Sequence, residues 1–115
     1  MGLFTKKSEM VIDLSPSHIS KVLKEKELLE MNANRISALI AQADKQEKEL
    51  LEEAFIEIKY ANPVVNEQIA KIDAQITTYL DDLKLLYARR IRSELTINNK
   101  IKNLMELINE RKALE

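Results

Sequence analysis

From about residue 17 to residue 114, apolar side chains recur every three or four positions. That spacing is the mark of amphipathic helix, because a 3.6-residue period brings such positions onto one face. With Ile19 at heptad position a and Val22 at d, the later a positions are Lys26, Ala33, Ile40, Glu47 and Ala54. The matching d positions are Leu29, Ile36, Ala43, Leu50 and Glu57. This is a coiled-coil-like seam interrupted by Lys26, Glu47 and Glu57, and it drifts sideways around Leu51, Phe55 and Ile58.

The strongest punctuation is Tyr60-Ala61-Asn62-Pro63. Proline lacks an N–H and clashes with the preceding turn, so an arriving helix stops there, while Asn62 and Pro63 suit the N-cap and first turn of a new one. Ser15-Pro16 opens the first helix by the same device. The pattern predicts an all-α fold, a long antiparallel helical hairpin with helix 15–61, a turn at 62–63 and helix 63–114. Residues 1–14 show no helical period and are read as a mobile tail.

The second helix carries more apolar surface than one partner covers. Ile69, Ile76, Leu83, Ile97 and Leu104 form one column. Ile72, Tyr79, Leu86, Leu107 and Leu114 form a second, and Leu80, Tyr87, Ile101 and Ile108 add a third. A face that wide is left wet in an isolated pair of helices. Either the chain folds back again or hairpins associate. The weakest point, Thr96-Ile97-Asn98-Asn99, contains neither Gly nor Pro, so the expectation is a continuous helix completed into a bundle by self-association.

Composition agrees with long helices: of 115 residues, one is Gly, two are Pro and 32% are charged. A net charge of −1 argues against general electrostatic capture of nucleic acid or anionic membrane. The absence of cysteine excludes disulfides and thiolate metal sites. His18 stands alone, so no paired-histidine metal motif exists, and a structural role in the first helical turn is expected for it. With so little Gly there is no phosphate-cradling loop, and Glu47, Glu49, Glu52 and Glu53 read as a solvated face. No apolar run reaches the ~20 residues needed to span a bilayer, and no signal-peptide core precedes the helices. A soluble cytoplasmic protein without cofactor, metal or enzymatic activity is the expectation.

Three functional readings follow. The first is a structural or protein–protein interaction module that forms homo-oligomers or docks on partner helices. Its contact residues are Ile69, Ile76, Leu80, Leu83, Tyr87, Ile101 and Ile108, with Arg89, Arg90 and Arg92. The second is peripheral membrane contact through an N-terminal hook of Leu3, Phe4, Lys6 and Lys7. Gly2 does not lie in the usual myristoylation pattern, because the sixth residue is Lys6 rather than Ser or Thr.

The third is nucleic-acid binding through residues 87–102, where five bases meet one acid. Residues 44–57 are the converse, with six acids and two lysines. In a hairpin turning near residue 62 these two stretches do not face each other, which leaves two further readings: a match between molecules that sets register, or plain solvation of the rod.

The opening Met1-Gly2-Leu3-Phe4 with lysines following looks slightly like that of the membrane-remodelling ESCRT-III proteins. Those carry a strongly basic first helix, whereas residues 1–62 here hold nine bases and eleven acids, so no family is assigned.

Overall fold

The structure, a computed structural model, describes residues 15–115. Those residues are all-helical, in the order α1 (Pro16–Ile40), α2 (Lys45–Lys59), α3 (Glu67–Ala88) and α4 (Glu94–Leu114). Four helices therefore stand where two long ones were expected. Each expected helix is broken once, at 41–44 and at 89–93.

The first break is made by a capping box. Asp44 Oδ1 accepts the Glu47 N–H at 2.8 Å, and Glu47 Oε1 accepts the Asp44 N–H at 3.2 Å. Two backbone donors at the start of α2 are thereby satisfied, which stabilises a helix start in mid-seam without Gly or Pro. The second break is capped by Ser93, whose hydroxyl accepts the Thr96 N–H at 3.4 Å. Thr96–Asn99, the expected weak point, lies inside α4.

At the other end of the molecule, Ser15 caps α1 and Pro16 occupies its first turn. The α2–α3 connection is longer than expected. Asn62 and Pro63 stand in a loop rather than opening the next helix, and Asn66 is the N-cap of α3, its Oδ1 accepting from Gln68 N at 2.8 Å. The Val64 N–H reaches the Asn62 carbonyl at 2.9 Å, closing a tight turn with Pro63 at its centre.

Packing follows the connections. α1 lies on α2 and α3 on α4; the two pairs then join through α1 on α3 and α2 on α4. Asn32 beside Thr77 and Arg35 beside Asp81 show that α1 and α3 run in the same direction. One core takes side chains from all four helices, including Leu29 and Ile36, Leu51 and Ile58, Ile76 and Leu83, and Ile101 and Leu104. The apolar face three columns wide is thus covered within the chain. Its first and third columns are entirely buried, while Leu114 at the end of the second is exposed.

The α1–α2 turn depends on the capping box, so Asp44→Ala should lower unfolding free energy by about 1 kcal/mol. Urea denaturation followed by circular dichroism measures this; an unchanged midpoint would show that tertiary packing alone holds the break.

Candidate functional site

Ten residues were expected to form a contact surface, and the fold separates them into two groups. Ile69, Ile76, Leu80, Leu83, Tyr87, Ile101 and Ile108 are buried in the core. They hold the four helices together and are not presented to a partner. Arg89, Arg90 and Arg92 are exposed in the α3–α4 turn. Leu3, Phe4, Lys6 and Lys7 of the N-terminal hook lie outside the described residues.

Within the basic stretch, two side chains are already engaged. Arg92 Nη1 donates to the Gln42 carbonyl at 2.9 Å, and its guanidinium lies 5.1 Å from the Tyr87 ring centre. Arg92 thereby ties the α3–α4 turn to the α1–α2 turn. Lys100 bonds Asp82 Oδ2 at 3.0 Å and sits 4.9 Å from the Tyr79 ring centre. Arg89 and Arg90 make no ion pair among the described residues. The acidic stretch is not remote from the basic one, because α2 packs on α4. Glu57 reaches Lys112 at 3.0 Å, beyond the basic stretch, and no ion pair joins residues 44–57 to residues 87–102 among the described residues.

Two buried polar clusters were not foreseen. Near the turn end, the Tyr87 hydroxyl donates to Glu47 Oε1 at 2.6 Å, and both side chains are buried. Burial, the hydrogen bond to Glu47 and the charges of Glu47 and Asp44 push the Tyr87 hydroxyl well above the usual tyrosine range. It stays a protonated donor. Glu47 therefore serves both the cap of α2 and the last turn of α3.

The second cluster closes the opposite end around Arg111, which is 1% exposed. Its Nε donates to Asp73 Oδ1 at 2.7 Å, and Nη2 donates to Glu25 Oε2 at 2.6 Å and to the Asn62 carbonyl at 3.1 Å. Nη1 donates to Glu115 Oε2 at 2.5 Å. One guanidinium therefore joins α1, the α2–α3 loop, α3 and the end of α4, a use that suits its planar fork of donors. Burial opposes the Arg111 charge, but the hydrogen bonds and charges of Asp73 and Glu25 outweigh it and raise the Arg111 pKa.

Three carboxylates face that single cation. Burial first, and then the neighbouring Asp73 carboxylate, push Glu25 up to about 7. Asp73 Oδ2 and Asn32 Nδ2 are buried without a hydrogen-bond partner among the described residues, so the polar interior is not fully compensated.

The signal for Arg111 was present in the sequence. It continues the Ile97–Leu104 column at heptad spacing, and Asp73 follows Ile69 by one helical turn. Opposite charges on two apolar stripes point to a buried pair. Glu25 has no comparable signal, since it sits outside the α1 seam.

Among the described residues, no group of three or more His, Cys, Asp or Glu is placed to hold a metal ion. No helix there is long and apolar enough to cross a membrane. No family model matches the chain, and neither a curated protein nor a solved structure matches it.

Removing Arg111 strands buried carboxylates, so Arg111→Met should cost about 3–5 kcal/mol of stability, with Asp73→Asn in the same chain recovering part of it. Chemical denaturation of the two single variants and the double variant tests this. Additive losses would mean that the residues do not act as a pair.

The raised Glu25 value sets a second expectation. The unfolded carboxyl titrates near 4.5 and the folded one near 7, so the folded state holds the extra proton between those values. Stability should therefore fall as pH rises from about 4.5 to about 7 and this contribution should level off above it. Melting temperatures across that window should decline less steeply in Glu25→Gln.

Proposed function

We propose that this chain is a non-enzymatic helical module that works by docking, and that its docking face is the outer side of α1. The observation that carries the reading is a line of exposed apolar side chains at the start of α1 running into a groove. Ile19 is 43% and Leu23 55% exposed, one turn apart. The groove, of about 550 Å³, has Leu29, Ala33 and Phe55 among its lining, with Lys26, Glu30 and Lys59 also present.

A second copy of the chain is the partner that the charges favour. Lys26 and Glu30 are one turn apart, so two α1 helices laid antiparallel about a twofold axis between them place each Lys26 against the other copy's Glu30. Burying Ile19 and Leu23 would add ~1.5–3 kcal/mol for each fully covered side chain. Nothing here resembles the wide face expected from sequence, which the chain covers itself. Association through one helix face is correspondingly weak and concentration-dependent.

Light scattering over a range of concentrations tests the reading. The unaltered chain should gain mass as concentration rises, and Lys26→Glu should suppress that gain by setting like charges together. Lys26→Glu with Glu30→Lys should restore it. A mass that stays monomeric at all concentrations, or a double variant that fails to recover association in a folded chain, contradicts self-docking through α1.

A further inference from the structure

The α3–α4 turn presents a second surface, of different chemistry, at the other end of the molecule. Leu85, Ile91 and Leu95 are 64%, 85% and 73% exposed, three large apolar side chains within eleven residues. None of them is part of the core. Single exposed leucines are ordinary, but this grouping coincides with a run of charge of one sign. From Leu83 to Ser93 there are four cations, Lys84, Arg89, Arg90 and Arg92, and no acid.

The neighbouring turn does not neutralise them. The α1–α2 turn brings Asp44 and Lys45, which cancel, and the Asp44 carboxylate is engaged as the α2 cap. Glu47, whose hydrogen bonds come from the neutral Tyr87 hydroxyl and the cap N–H, offsets at most one of the four cations. Asp82 is taken by Lys100, and Asp81 lies 3.9 Å from Arg35. Glu94, in the first turn of α4, leaves the segment 84–94 with an excess of positive charge.

The turn is held in place rather than loose. Arg92 is anchored by the Gln42 carbonyl and the Tyr87 ring, and Ser93 caps α4. Ile91 therefore projects from a fixed turn with Arg89 and Arg90 beside it in sequence.

We infer that the α3–α4 turn is a membrane-contact tip, which inserts Ile91 and Leu95 among the acyl chains of an anionic bilayer while Arg89 and Arg90 meet lipid phosphates. Exposed arginines adjacent in sequence to protruding apolar side chains fit the boundary between headgroups and hydrocarbon, where both chemistries are satisfied at once. Duplex nucleic acid would use the arginines but leave Ile91 and Leu95 in water. The inference does not rest on association through α1, which lies on a different helix, and the variants below leave Lys26 and Glu30 intact.

Co-sedimentation of the full chain with vesicles decides it. The chain should bind vesicles of phosphatidylcholine with phosphatidylserine, and bind phosphatidylcholine alone much more weakly. Ile91→Ser with Leu95→Ser should weaken binding about tenfold or more. Arg89→Ala with Arg90→Ala should weaken it roughly fivefold per arginine, an effect that added salt reproduces.

Ile91→Trp keeps the apolar tip and should bind at least as tightly, which preserves the test if the serine variant loses helicity. Vesicle binding that persists unchanged in folded serine and alanine variants overturns the proposal. So does duplex DNA binding that needs Arg89 and Arg90 but is indifferent to Ile91 and Leu95, with no affinity for anionic vesicles.

Discussion

The constraint on which this structure rests is the width of the apolar face between Ile69 and Ile108. An amphipathic helix with three apolar columns cannot be covered by one neighbour, and the uncovered remainder carries a cost in water that grows with its area. A chain with this pattern must either recruit other copies or shorten its helices until they cover one another. Here the helices are shortened: breaks at 41–44 and 89–93 convert two long elements into four that share one core. The breaks are stabilised locally by Asp44 and Ser93 as caps, and tied to each other where Arg92 meets the Gln42 carbonyl.

The ends of this arrangement are fixed by polar groups taken out of water. At one end Glu47 links the α2 cap to Tyr87; at the other Arg111 draws α1, α3 and the α2–α3 loop together. Such clusters are weak sources of net stability, since desolvation offsets much of the attraction. Their effect is selective. A shifted register would separate Arg111 from Asp73 and leave buried charge unpaired, which apolar columns of interchangeable Leu and Ile would not penalise. Arg111 and Glu47 thus bias the helices toward one alignment, with an imperfectly compensated interior that includes Asp73 Oδ2 and Asn32 Nδ2.

Helical periodicity made the all-α class and most of the core legible in the sequence. Leu29, Ala33 and Ile36 were on the expected seam and are buried, as are Ile69, Ile76 and Leu83. The two breaks, at 41–44 and 89–93, contain neither Gly nor Pro, the residues that most strongly mark a helix boundary in sequence. Asp44-Lys45-Gln46-Glu47 is a capping box, but Glu47 also falls on a seam position, where its charge interrupts the apolar pattern and masks the cap. The α3–α4 break has a fainter signal, a serine cap after a run of arginines, and its stabilisation comes from Tyr87 just before the break and from Gln42, which is distant in the sequence. For the contact residues, periodicity identifies an apolar face without saying whether it is turned inward. That is why seven expected contact residues proved to be core.

The central claim, that the chain covers its own apolar face by folding back at 89–93, is tested most directly by one distance. Gln75 on α3 and Glu106 on α4 are both exposed, and the Asp82–Lys100 pair indicates that they lie near each other across the two helices. Spin labels on Gln75→Cys and Glu106→Cys, with labelled chains diluted in unlabelled protein, report their separation within one chain. Adjacent antiparallel helices with axes about 8–10 Å apart predict a separation below roughly 30 Å, label arms included. A single continuous helix would hold the same positions ~46 Å apart at 1.5 Å per residue, and a distance near that value would contradict the account.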